Sequence, residues 1–235
     1  MPSEFEIIFD DFSSELDALS EMAAVPTRAT AAFSPRARVA AANGATLLLA
    51  AIFEEFIRQE VKATFKEKTK RAKSFADFPK KMTAVVWRRS LEMLARTPFD
   101  EVLSDISLSD SKISAIVAFC LKKEIGADVS ESVAHNDNNM KANQLNGLFN
   151  GIGIPSVCSK VCEDKTLIDF LGCESAGKAN SEFEARVDEF FKRRNAIAHA
   201  IKIGSSSGPA GLHQDIELFR NFGRALFRTI DASMA

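Results

Sequence analysis

Residues 181–202 read SEFEARVDEFFKRRNAIAHAIK, and this stretch sets the architecture. Ser181 followed by Glu184 has the form of a capping box, in which a hydroxyl accepts from the backbone and a carboxylate reaches back. Phe183, Val187, Phe190, Ile197 and Ile201 then recur at helical steps and draw one apolar stripe down to Lys202. Gly204-Ser-Ser-Ser-Gly-Pro-Ala-Gly211 breaks the pattern as a flexible tip. A last helix, about 212–232, carries Ile216, Phe219, Leu226 and Ile230. So short a link between two long helices predicts antiparallel neighbours.

The rest of the chain reads the same way. The strongest further helix runs from Arg38 to about Lys70, with Leu48, Ile52, Phe56, Ile57 and Val61 on its stripe. Others are expected from about Asp77 to Thr97, from Lys112 to Lys123, from Met140 to Phe149 and over 160–172. Residues 127–139, with the run His135-Asn-Asp-Asn-Asn139, read as a loop. No strand series interrupts them, so the fold class is all-α: a helical bundle of antiparallel long helices with short accessory helices. Residues 4–24 hold seven Asp/Glu and no Lys or Arg. Leu16, Leu19 and Ala23 give a helical spacing there, and with a Pro-containing connection these residues are expected to form an acidic N-terminal helical extension and linker over 1–37. Residues 38–235 are then the helical domain.

Composition narrows the function. The chain has 235 residues, 46% hydrophobic and 26% charged, which excludes a disordered or collagen-like chain. Net charge is −2, so only the distribution of charge bears on nucleic acid. The longest apolar run, Ala45–Phe53, is short of a membrane span, and the acidic start lacks the form of a signal peptide. Cys120, Cys158, Cys162 and Cys173 suggest reduced thiols in a cytoplasm. Cys158 and Cys162 stand at i, i+4, but no His or second Cys pair completes a zinc set, so no metal and no cofactor are expected. There is no Gly-x-Ser-x-Gly elbow, no phosphate loop ending in Gly-Lys-Ser/Thr and no His-Glu-x-x-His. Gly151-Ile-Gly153 is too short for a dinucleotide fingerprint.

The chemistry-bearing segment is Phe191-Lys-Arg-Arg-Asn-Ala-Ile-Ala-His199. Here the sequence resembles the HEPN domains, which carry an Arg, commonly followed by Asn, and a His four to six residues beyond on a late helix. Arg194-Asn195-Ala-Ile-Ala-His199 matches that pattern. "RRNAIAHA" before a Gly-rich break looks most like the RiboL-PSP branch. "NQLNGLFNGIGI" at 143–154 and "LLLAAIFEEFI" at 47–57 look like further segments of that branch, with Glu54 at its acidic position. The resemblance spans roughly Val39 to Ile230. It implies a helical bundle, usually a homodimer, that often acts as a metal-independent ribonuclease in toxin–antitoxin, phage-defence or RNA-processing settings. The alternative is a non-catalytic HEPN fold that binds RNA or protein and dimerises.

The residue types suit that chemistry. RNA supplies its own nucleophile, the 2′-OH beside the scissile phosphate. Histidine is the side-chain type suited to general acid/base work at neutral pH, which makes His199 the candidate. Arg194 suits holding the phosphate and the charge building on it. Asn195 stands at i, i+4 from His199 and shares its edge of the helix. Glu54 is the expected support. Five residues at about 100° place Arg194 and His199 about 140° apart, so a cleft pooled across a two-fold axis is expected to combine them. Each residue also has a plainer reading: His199 as a helix-end histidine, Arg194 as a buried partner of Glu54 that fixes packing. Residues 58–96 hold twelve Lys/Arg against four Asp/Glu. The basic run Lys66–Lys73 reads as a solvated face. Arg193, Arg220, Arg224 and Arg228 are the expected RNA contacts, with an antitoxin or regulatory protein as a possible partner and no membrane. His135 and His213 read as surface histidines.

Overall fold

The computed structural model describes residues 2–24, 33–136, 138–199 and 208–234; the side chains of Phe99, Glu101, Leu103, Ile106, Leu108 and Pro209 lie outside the description. Among the described residues every regular element is helical. In chain order these are α1 (Glu4–Ala24), α2 (Pro35–Arg71), α3 (Met82–Arg96), α4 (Phe99–Ser104), α5 (Ile106–Cys120), α6 (Ser130–Ala134), α7 (Ala142–Gly151), α8 (Val157–Val161), α9 (Lys165–Leu171), α10 (Ala176–His199) and α11 (Gly208–Met234). A single 3-10 turn, Phe75–Asp77, precedes α3.

Helix α2 is the axis of the bundle. Ser34 caps it, accepting from the Ala37 N–H, and Pro35 occupies the first turn, where its missing N–H is harmless. Its buried face presents Ala45, Leu49, Phe53, Ile57, Val61 and Phe65. Phe53 stacks on Phe219 of α11 at 4.2 Å and Phe56 on Phe12 of α1 at 4.1 Å. Phe183 of α10 stacks on Phe222 of α11 at 4.1 Å, and Phe190 meets Phe219 edge-on at 4.8 Å. These pairings run in opposite chain directions along α10 and α11, so the two helices are antiparallel. By length and composition α2 is also apolar enough to cross a membrane, with a window of mean hydropathy 1.4. Half of that window is buried, which is the pattern of a central bundle helix.

The acidic first segment is not set apart. Phe5, Phe9, Phe12, Leu16 and Leu19 of α1 are buried in the common core. At Gly223 of α11 a Cβ would stand 2.8 Å from the Phe12 ring and 3.2 Å from that of Phe56. Glycine there lets the three helices close on one another. The boundary expected at residue 37 falls inside α2, because its cap lies at Ser34.

Local readings shift elsewhere too. The capping box at Ser181 does not form: α10 begins five residues earlier, at Ala176. Ser181 Oγ donates to the Gly177 carbonyl, while Glu184 accepts from Asn180. Nothing in Ala-Gly-Lys-Ala-Asn forbids a helix once Ser175 caps it. The polar loop 127–139 contains α6, whose Ser130, Ser132, Val133 and Ala134 are buried. Residues 204–207 of the Gly-rich tip lie outside the described residues, and Gly208–Gly211 already belong to α11.

Candidate functional site

Four apolar residues of α10, Phe183, Val187, Phe190 and Phe191, anchor it in the core, and that packing sets where the next turn points. Arg194 and Asn195 emerge half-buried, and His199, the last described residue of the helix, is exposed. Arg194 Nη1 donates to Asn195 Oδ1 at 3.3 Å, and Asn139 Nδ2 donates to the same oxygen at 3.1 Å. The carboxamide oxygen is therefore occupied, and its NH₂ is the group left to act. Arg194 Nε is buried with no acceptor.

Glu54 approaches from α2, its side chain 15% exposed. Burial pushes its carboxyl up from the usual range, while Arg194, Arg58 and the Met140 N–H each pull it back. Arg58 stands 3.8 Å from it, one turn along α2. Glu54 is thus a carboxylate shared between two guanidiniums, an arrangement that holds positive charge at one place without cancelling it. The Asn139–Met140 segment closes this side. It belongs to the run read as a plain loop, and only the Asn-rich composition before residue 140 hinted at a role for Asn139.

The next-door arginine is different. Arg193 forks onto Asp215 of α11 at 2.7 and 2.8 Å and reaches Glu189 at 2.9 Å. Burial raises the Asp215 carboxyl despite the partner. Arg193 lines a cleft of about 720 Å³ between α10 and α11, with Glu182, Arg186 and the exposed His213. His135 is half-buried at the end of α6, not on the open surface.

The arginine row on α11 also serves the fold. Arg220 is 12% exposed and bonds to Ser13 and Asp17 of α1 at 2.6 and 2.7 Å, with Glu217 at 3.2 Å. Arg224 lies 5.7 Å from the Phe9 ring centroid. Arg228, 52% exposed, stands 3.7 Å from Asp164. The expected RNA contacts Arg193 and Arg220 also make bonds within the bundle, Arg193 to Asp215 and Glu189, Arg220 to Ser13, Asp17 and Glu217. Helix α1 meets the row through Asp17 at Arg220 and through Phe9 at Arg224.

Among the described residues no three His, Cys, Asp or Glu side chains are placed to hold a metal ion. The cysteines are unpaired; burial pushes the Cys158 thiol far up and that of Cys162 to about 12, so neither is a ready thiolate.

A family model described as RiboL-PSP-HEPN matches residues 3–234. It includes α1, which the sequence reading had left outside. No curated protein matches, and no solved structure matches.

Proposed function

We propose, for a chain that belongs to the RiboL-PSP-HEPN family, a metal-independent RNA endonuclease whose cleft is pooled between two copies. The observation that carries this reading is the contrast between adjacent arginines. Arg193 is clasped by two carboxylates at 2.7–2.9 Å, whereas Arg194 hydrogen-bonds one neutral oxygen and shares the Glu54 charge with Arg58; the Nε of each is buried without an acceptor. Arg194 therefore keeps more of its donors for an incoming acceptor. A phosphate oxygen is the acceptor it suits.

In the proposed reaction the 2′-OH attacks the adjacent phosphorus, and the bond to the 5′ oxygen of the next nucleotide breaks. A His199 imidazole takes the hydroxyl proton and gives it to the leaving oxygen. Arg194 stabilises the charge on the non-bridging oxygens, and the Asn195 NH₂ orients phosphate or ring. The products are a 2′,3′-cyclic phosphate and a 5′-hydroxyl. Around an ideal helix Arg194 and His199 stand about 140° apart, which is why a two-fold pairing is needed. A cytoplasmic setting, with an antitoxin or other regulatory protein restraining the dimer, fits this activity.

The test is cleavage of labelled RNA by purified protein in EDTA. Cleavage with a cyclic-phosphate end is expected, lost in Arg194→Ala and in His199→Ala, and partly restored when the two inactive variants are mixed. Activity abolished by chelator, or retained without His199, overturns the mechanism. Failure of the mixture to recover overturns the pooled cleft. RNA bound but uncut by the native dimer would favour the non-catalytic binding module instead.

A further inference from the structure

Helix α7 has the Glu54 cluster at its start and a second cationic place at its end. Met140, just before α7, gives its N–H to Glu54. Gly153, just after it, turns at φ +86 against Pro79 and the head of Lys68. A Cβ at Gly153 would stand 2.7 Å from Pro79 Cγ and 3.6 Å from Lys68 Nζ. Both the positive φ and the close approach require glycine. Gly153 belongs to the short Gly-x-Gly fragment that has no role as a dinucleotide motif, and Lys68 to a basic run that reads as solvated. The structure puts them together.

Lys68 is half-buried, and its ammonium is disfavoured first by burial and then by Lys160 of α8. The neighbouring Lys70 and Arg71 pair with Glu67, but among the described residues neither Lys68 nor Lys160 forms an ion pair. Two like charges in a partly dehydrated setting repel, and the packing here gains nothing from either charge. Lys160 is exposed and keeps its water, so the half-buried Lys68 is the donor that an anion here satisfies while relieving the repulsion. The adjoining cleft, about 360 Å³, is lined by Lys68, Arg71, Lys73, Phe78 and Pro79. The Asp77 carboxylate on its wall is held by the N–H groups of Lys73 and Ser74. Ammonium groups beside an aromatic and a prolyl ring suit a phosphate and the sugar or base attached to it.

The register along α2 completes the argument. Glu54 and Lys68 lie on one continuous helix, fourteen residues apart. That is about 21 Å along the axis and about 40° around it, so both look toward the α7 side. We propose that Lys68, Lys160 and the Gly153 turn form a second phosphate subsite for single-stranded RNA, several nucleotides from the phosphate that Arg194 holds. The subsite rests on the reading of the protein as an RNA-binding enzyme. It supplies grip remote from the cut, so that longer RNA is favoured over short fragments.

The experiment measures RNA binding by fluorescence anisotropy in the His199→Ala background, so that substrate survives. Oligomers of about three and about fifteen nucleotides are compared, the shorter unable to reach both places. With Lys68→Gln and Lys160→Gln together, the ratio of long to short affinities is expected to fall roughly tenfold, and the salt slope for the long RNA to shrink by about 1.4. Lys160→Glu, at an exposed position, supplies the missing carboxylate and is expected to lower the ratio at least as far. The thermal midpoint should hold or rise, because repulsion has been relieved. An unchanged ratio, or no binding of RNA at all, overturns the subsite. So does a lysine-dependent thermal shift with inorganic phosphate while the RNA ratio stays fixed, which would assign the place to a free phosphate. RNA that shows the expected ratio but is left uncut by native protein in EDTA overturns the ribonuclease reading and leaves the subsite standing.

Discussion

Replacing Arg193 and Arg194 one at a time by alanine should separate stability from chemistry along a single turn of α10. Arg193→Ala leaves Asp215, a residue 9% exposed, without its forked partner. Breaking a fully buried pair costs about 3–5 kcal/mol, and an exposed one under about 1. The side chains here are 28% and 12% exposed, and the stranded carboxyl can take a proton, so about 2 kcal/mol is expected at pH 7. The pH dependence follows from the sign. Burial already raises the Asp215 carboxyl, and loss of the cation raises it further. The charge-dependent part of the penalty is then absent in acid, where the carboxyl is protonated in both proteins, and grows as pH rises above the wild-type carboxyl's own raised value. Arg194→Ala removes one neutral hydrogen bond at 3.3 Å, one orphaned donor and part of the Glu54 attraction, which Arg58 still supplies, so it should cost less than Arg193→Ala, about 1 kcal/mol. Its effect belongs to the rate, where loss of a phosphate-stabilising group costs about 10²–10³-fold. Urea unfolding at pH 4.5 and 7.5, paired with RNA cleavage in EDTA, reads both. A folded Arg193→Ala that fails to cleave, or an Arg194→Ala as unstable as its neighbour, would refute the assignment.

Two further changes test the bundle. Glu60 is fully buried with neither carboxylate oxygen hydrogen-bonded, and burial, then Asp231 and Glu4, raise its carboxyl well above the ordinary value. It therefore folds protonated: its burden is absent below the unfolded carboxyl value and accumulates as pH rises, so the thermal midpoint of Glu60→Gln relative to wild type should climb from pH 4.5 to 8. A flat difference across that series would show that Glu60 finds a partner. Gly223→Ala forces a methyl against Phe12 and Phe56 and should lower stability by about 1–3 kcal/mol; a neutral result in urea would mean that α1 yields easily.

The all-α class and the long helices were legible because stripes such as Leu48, Ile52, Phe56 and Ile57 recur at 3.6-residue spacing over long windows. Ends were less legible, since they depend on which of several serines caps. Ser175 and Ser181 offer nearly the same local chemistry, and the choice is made by tertiary packing of Ala179 and Phe183 in the core. The same limit hid where α1 packs. Seven carboxylates on one helix look like a solvated arm until their apolar alternates find a groove. That groove exists only because α2 and α11 approach closely at Gly223.

The site shows the deeper limit. Sequence spacing ranks Arg193 and Arg194 as equals, since both are basic, adjacent and beside the stripe. Their difference is made by residues far away in the chain: Asp215 turns one into a clasp, while Asn139 and Glu54 hold the other with a neutral oxygen and a shared charge. The same holds at Lys68, whose sequence neighbours Glu67 and Lys70 suggest an ordinary solvated face. What distinguishes it is the charge of Lys160, ninety-two residues on, and the turn at Gly153 that packs against the head of Lys68. Among the described residues Lys68 carries no ion pair and Arg194 only a carboxylate shared with Arg58, while the adjacent arginines Arg71 and Arg193 each hold a carboxylate closely. Charges left unpaired beside charges carefully paired are the part of this molecule that stability alone does not explain, and they are where a polyanion has something to gain.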